Sequence, residues 1–174
     1  MTKSSKIIAI IGLMGVGKTT LGLRLAEKLG FYFTDSDQEI EDLEKKSIKE
    51  IFKQNGEKYF RQVEKKVIAD IIKRDEPMVL ALGGGAFLDE ETRKALLEKS
   101  FVIWLKAPID VILHRIGNKN NRPLLNNVDK RQVLQELMDK RYPIYQLADL
   151  EIETSQGNHE FLIEKILKAR SGLV

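Results

Sequence analysis

The sequence predicts a three-layer α/β sandwich on a central parallel sheet, and three observations carry the prediction. Strand-like segments alternate with segments of helical period along the chain. The segments "IIAIIG", "MVLAL" and "FVIWL" are near-continuous apolar runs, as in strands buried on both faces. The first of them passes through a glycine turn straight into a helix, the unit from which parallel sheets are wound.

In chain order, Ile7 to Gly12 reads as a strand, and "LGLRLAEKLG" as a helix with Leu21, Leu25 and Leu29 on one face. Lys3 and Lys6 before an apolar run have the outline of an export signal. The run leads into Gly15, Gly17, Lys18 and Thr19, however, rather than a small-residue cleavage site, so no such signal is expected. Between strand and helix, "GLMGVGKT" (Gly12 to Thr19) fills every fixed position of G-x-x-x-x-G-K-[ST] in the context that motif requires. The physical need is for successive backbone N–H groups to face phosphate oxygens, with glycine where a turn or close approach bars a Cβ. The helix adds its positive dipole end. Lys18 then reaches the outer phosphates, and the Thr19 hydroxyl is placed to ligate magnesium. The fold expected is thus a P-loop NTPase sandwich that binds ATP or GTP.

Next, "FYFTD" ends a strand in Asp35, and a charged helix follows from "SDQEIEDLEKK". A long helix carries Phe60, Val63, Val67, Ile68 and Ile71 on one stripe, with Gly56 marking a break before it. "MVLAL" runs into Gly83, Gly84 and Gly85, Asp89 caps the helix of "DEETRKALLEK", and "FVIWL" is a further strand. A helix at "IDVILHRI" gives way to the polar loop "GNKNNRPLLNNVDK", of lid-like length. The chain closes with a helix through "QVLQELMDKRYPIYQLA", an alternating strand "ADLEIET" and a helix from about Asn158.

A chain of 174 residues is one domain by length and buries about 70% of its unfolded surface. It has no cysteine, which excludes disulfides and thiolate chemistry and suits a reducing, cytoplasmic setting. No apolar run approaches the ~18 residues of a membrane span. The net charge of +3 is spread among alternating signs rather than gathered into the stripe that nucleic acid selects, so neither membrane nor nucleic acid is an expected partner.

No apolar strand ends in the lone aspartate that supports magnesium in many P-loop proteins, so another acid must serve. Asp35 is the first candidate, ending a strand expected to lie beside the first. Asp35 or Asp37 could equally cap the helix that follows. Two acids at i and i+2 on an extended segment point the same way, which favours a site. Arg61, flanked by Glu57 and Glu64 at helical spacing, reads in isolation as surface pairing, as do Arg115 and Arg141. Arg122, before Pro123 in the polar loop, fits that reading least. The glycine triplet is either a tight turn or backbone approached by something flat or charged. His114 and His159 show no catalytic or metal pattern.

The segments "GLMGVGKTT", "DSDQEIE", "IFKQNGEKYFRQVE", "LGGGAF", "RPLL" and "RYPIYQLA" jointly resemble the shikimate kinases, over nearly the whole chain. The resemblance implies a single domain over residues 1–174, with a substrate-binding helical region at about 37–74 and a lid at about 115–129. It implies a monomeric enzyme moving the ATP γ-phosphoryl group to the shikimate 3-hydroxyl, with Mg2+, in aromatic amino acid biosynthesis. Position by position, it makes Gly12, Met14, Gly15, Val16, Gly17, Lys18, Thr19 and Thr20 the ATP phosphate loop. Thr19 and Asp35 then support the metal, and Asp37 holds the reacting diol. Arg61 and Arg141 clamp the carboxylate while Gly83, Gly84 and Gly85 lie along the ring. Arg122 descends from the lid onto the transferring phosphate, Arg115 lies against adenine, and "TSQGN" at 154–158 forms the adenine loop.

Physical chemistry is consistent with these roles. Planar bidentate arginines suit a carboxylate, and an aspartate suits hydroxyls. Because phosphoryl transfer has a loose transition state, Lys18, Asp37 and Arg122 act by position and charge, and an Asp37 with an ordinary pKa near ~4 suffices. The alternatives are a gluconate or nucleoside monophosphate kinase on the same scaffold, or an ATP- and metabolite-binding regulator without turnover. The joint presence of Asp37, Arg61, the glycine triplet and Arg141 weighs against the first. A complete set of catalytic positions weighs against the second.

Overall fold

β1 (Ile7–Gly12) is buried at all six positions, because it lies at the centre of a five-stranded sheet with a partner on each side and helices over both faces. The computed structural model describes residues 5–117 and 129–172. The elements after β1 run α1 (Lys18–Leu29), β2 (Tyr32–Asp35), α2 (Ser36–Glu44), α3 (Ile48–Lys73), β3 (Met78–Ala81) and a 3-10 turn at Ala86–Leu88. Then come α4 (Glu90–Lys99), β4 (Ser100–Lys106), α5 (Ile109–Ile116), α6 (Lys130–Tyr145), β5 (Leu150–Glu153) and α7 (His159–Ser171). Every pairing is parallel, in the order β2-β3-β1-β4-β5.

One expectation is corrected by that order: β2 does not lie beside β1, since β3 stands between them. β3 is buried at all four positions, whereas Tyr32 of β2 is 70% exposed. The wholly apolar strand takes the inner place, and the strand that tolerates water takes the edge. Register aligns Asp35 with Ala81 and Ala81 with Ile10, so the segments that follow β1, β2 and β3 emerge along one edge of the sheet. That carboxyl edge is where open α/β sheets hold their ligands.

α1 packs on β2 and β3 and against α7; α4 packs on β4 and against α3. Local chemistry sets the helix ends. Gly30 closes α1 in the left-handed conformation, its N–H reaching the carbonyls of Ala26 and Glu27. Ser47 and Glu50 form a reciprocal capping box at the start of α3, and Asp89 and Asn158 cap α4 and α7. Gly56, at φ 80° and ψ 171°, breaks α3 into two segments, with the rings of Phe52 and Phe60 4.8 Å apart across the break. α6 is anchored by an aromatic cluster: Trp104 of β4, the single tryptophan, is 2% exposed and lies 4.8 Å from Tyr142 and 6.0 Å from Tyr145. Among the described residues no helix is long and apolar enough to cross a membrane.

Candidate active site

The loop between β1 and α1 is built from backbone that only glycine holds without strain. Gly12, Gly15 and Gly17 have φ of 152°, 80° and 99°. A Cβ at Gly12 would sit 2.5 Å from the Leu105 carbonyl oxygen, an atom fixed in β4. Leu13 and Val16 are buried and pin the loop from beneath, with Met14 packed on the same core. Gly17 caps α1 without a side chain, so the first N–H groups of the helix remain available for an anion. The Lys18 Nζ donates to the carbonyls of Gly12 (2.9 Å) and Leu13 (3.0 Å), which holds the ammonium over the loop. Replacing Gly12 by Ala is expected to cost about 2–4 kcal/mol, read from the thermal midpoint, because a strained φ and a backbone clash coincide. An unchanged midpoint would mean that the turn relaxes freely.

Asp35 does two things at once. Its Oδ1 accepts from the N–H groups of Asp37 (2.9 Å) and Gln38 (3.3 Å), capping α2, and its Oδ2 lies 3.5 Å from the Thr19 hydroxyl. The expectation that Asp35 and Asp37 share an extended segment is therefore corrected: Asp35 ends β2, and Asp37 is already in the first turn of α2. Helix geometry, not strand alternation, aims Asp37 at the glycine triplet, where a Cβ on Gly83 would meet its Oδ1 at 2.7 Å. The ordinary pKa expected for Asp37 is corrected as well. Burial first, and then the neighbouring Asp35 charge, push it up to about 6, against the pull of Lys18 and Arg61.

The second half of α3 and the end of α6 supply the opposite wall. A Cβ on Gly84 would lie 2.5 Å from an Arg141 nitrogen and 3.5 Å from the Gly12 carbonyl oxygen, and a Cβ on Gly85 would collide with the Arg61 guanidinium. The triplet is thus backbone closely approached by charge, and it adjoins the loop after β1. Its first N–H, at Gly83, donates to Ser36 Oγ (3.1 Å), tying it to α2. Arg61 donates to Glu64 (2.8 Å) and more weakly to Glu57 (3.4 Å), so the ion pairs read from the sequence do form, but at a pocket rather than on open surface. Arg61, Glu64, Gly85 and Arg141 line this cavity of ≈ 310 Å³.

Glu64 is 3% exposed, and its Oε2, like the Arg141 Nε, is buried without a hydrogen-bond partner among the described residues. Burial pushes the Glu64 carboxyl up while Arg61 pulls against it. Glu64 and Arg141, of opposite charge and each with a buried unsatisfied polar atom, both line the cavity, which suits it to a polar ligand. Sequence reasoning missed Glu64, Ser36 and Tyr145. Glu64 carried a usable signal, since it falls on the apolar stripe of α3 between Phe60 and Val67.

A second cavity, of ≈ 340 Å³, opens on the other side of the loop, lined by Val16, Gly17, Thr20, Arg115, Thr154 and Asn158 among others. Arg115 Nη1 donates to the carbonyls of Gly15 (3.4 Å) and Val16 (3.1 Å) and to Thr154 Oγ1 (3.1 Å), joining α5, the loop and the segment after β5. Arg122 and most of the proposed lid lie outside the described residues.

A family model described as shikimate kinase matches residues 14–170. A shikimate kinase of Zymomonas mobilis is 49% identical over 164 residues, covering 94% of this chain and 93% of its own length. One from Brucella canis is 43% identical over the same length, covering 94% and 82%. Among solved structures, a shikimate kinase from Acinetobacter baumannii in complex with shikimate superposes with a TM-score of 0.89 at 40% identity, covering 95% of this chain and 92% of that one. A gluconokinase from Sinorhizobium meliloti shares the fold alone, with a TM-score of 0.58 at 16% identity.

Proposed function

Since the chain belongs to the shikimate kinase family, we propose that it transfers the γ-phosphoryl group of ATP to the 3-hydroxyl of shikimate, giving shikimate 3-phosphate and ADP. The observation that carries this reading is the convergence of Arg61, Arg141 and Asp37 on Gly83–Gly85, which lie beside the phosphate loop at the Gly12 carbonyl. Arg61 and Arg141 bind the carboxylate of the acceptor. Bidentate guanidinium donors are the strongest neutral-pH partners for that group. Asp37 receives the hydroxyl that attacks and holds its proton in the direction away from the phosphate.

Lys18 leaves the loop carbonyls for the phosphate oxygens as nucleotide enters, and the uncapped N–H groups of α1 take the remaining charge. Thr19 Oγ1 and Asp35, two hard oxygens 3.5 Å apart, fit a magnesium ion that retains water and phosphate ligands. Magnesium there would neutralise charge on the β- and γ-phosphates. Arg115 and the segment from Thr154 to Asn158 accept the adenine side of the nucleotide, and the family resemblance supports Arg122, in a lid at about 115–129, as the arginine for the transferring phosphate. Residues 37–74 act as the acceptor-binding region of a single domain. The reading carries a cytoplasmic monomer.

The test is ADP release from MgATP with shikimate, gluconate and nucleoside monophosphates supplied singly. Stimulation by shikimate alone is the expected result. Stimulation by gluconate or a nucleoside monophosphate would reassign the acceptor pocket, and none by any acceptor would leave a binding protein.

A further inference from the structure

We propose that Tyr145 is a positioning residue for the acceptor's carboxylate, its hydroxyl joining the Arg141 guanidinium to the Gly84 carbonyl. The proposal rests on the reading above that Arg141 binds that carboxylate. Tyr145 ends α6 four residues after Arg141, so the two side chains share a helix face. Its side chain is fully buried, and its hydroxyl donates to the Gly84 carbonyl, beside which the Arg141 guanidinium also lies. A Cβ on Gly84 would lie 2.5 Å from the Arg141 nitrogen and 3.6 Å from the Tyr145 oxygen, so the three groups meet at one point.

Guanidinium nitrogens only donate and a carbonyl only accepts; a hydroxyl does both and can stand between them. The phenol ring packs among Phe87 at 6.4 Å, Trp104 at 6.0 Å and Tyr142 at 6.3 Å between ring centres, with its hydroxyl directed to Gly84. Both of its neighbours need holding. Arg141 is a long side chain that binds a carboxylate well only when its planar fork is pre-oriented. Gly84 sits in a run of three glycines, where nothing intrinsic to the backbone fixes the orientation of the peptide plane. Tyr145 itself is sealed from the cavity, so it acts through Arg141 and Gly84 rather than by touching substrate. The nucleotide cavity is lined by none of these groups.

The test is Tyr145→Phe, which keeps the ring in the aromatic cluster and removes only the hydroxyl. We expect the KM for shikimate to rise about tenfold, with kcat and the KM for MgATP changing less than about threefold, as for loss of one buried hydrogen-bonding group. In an Arg141→Ala background the same substitution should change the shikimate KM less than about twofold, because its route of action is gone. An unchanged shikimate KM overturns the proposal. So do equal losses in kcat and both KM values with a lowered thermal midpoint, full additivity with Arg141→Ala, or a Y145F chain that does not fold, each of which assigns Tyr145 to packing. Failure of the underlying reading is distinguishable, since it appears in the unsubstituted enzyme as ADP release that shikimate does not stimulate.

Discussion

Replacing Asp37 by Asn is expected to lower phosphoryl transfer by roughly 10²–10⁴-fold, the range for loss of a positioned proton acceptor, while leaving the affinity for MgATP nearly unchanged. The asparagine keeps the size of the side chain and its place in the first turn of α2. It loses only the charge that orients the hydroxyl and takes its proton. The same substitution should make the protein more stable, and the sign follows from linkage. Asp37 ionises at about 6 in the folded protein, against 3.8 for an unperturbed aspartate. Between those values the folded chain holds a proton that the unfolded chain has released, so this group's contribution to stability falls as pH rises through that window.

At neutral pH the ionised Asp37 is a cost of about 1–3 kcal/mol, which Asn removes. The thermal midpoint of D37N should exceed that of the parent at pH 7.5, with the gap narrowing as pH is lowered to 5. A lower midpoint at pH 7.5 would show that Asp37 is not held against its preference. Turnover of the parent should rise with pH through about 6 as Asp37 deprotonates. A flat profile across that region would separate Asp37 from the proton.

Arg141→Ala is expected to weaken acceptor binding by about 2–5 kcal/mol, the penalty for truncating one partner of a desolvated charge pair. Arg141 is 6% exposed, so its charge is poorly screened by water. Its removal also leaves the buried Glu64 with Arg61 as its remaining cationic neighbour. The measurement is the shikimate dissociation constant with and without nucleotide. An unaltered value would return Arg141 to a structural role between α6 and the glycine triplet.

How far this site can be read from the sequence depends on whether a residue's neighbours are close in the chain. The loop from Gly12 to Thr19 is legible because its chemistry is local: strand, turn and helix follow one another, and each glycine answers a backbone demand within that stretch. The helix boundaries at Asp89 and Asn158 are legible for the same reason. Strand order is not, because a run such as "MVLAL" records burial on two faces but not which strands flank it. That is how β3 came to separate β2 from β1.

The misreading of Asp35 and Asp37 has a related cause. Spacing of two residues means one thing on a strand and another across a strand-to-helix junction, and the junction falls between them. Tyr145 escaped notice because it lies on an apolar stripe, where pattern assigns it to the core, and Glu64 reads only as a surface partner of Arg61 although it falls on such a stripe. Their polar atoms acquire meaning only when α3, α6 and the segment after β3 meet.

The placement of Trp104 has a practical consequence. As the chain's single indole, sealed beneath Tyr142 and Tyr145 at the end of α6 with the Lys106 ammonium 5.4 Å from its ring centre, it reports on the helix end that carries the arginine assigned to the acceptor. Rearrangement of that helix end on ligand binding should alter the emission, whereas nucleotide entering beside Arg115 should leave it nearly constant. Titration followed at the indole would then resolve acceptor binding from nucleotide binding in one cuvette, with no dye attached. Equal responses to both ligands would mean that the two halves of the site move together.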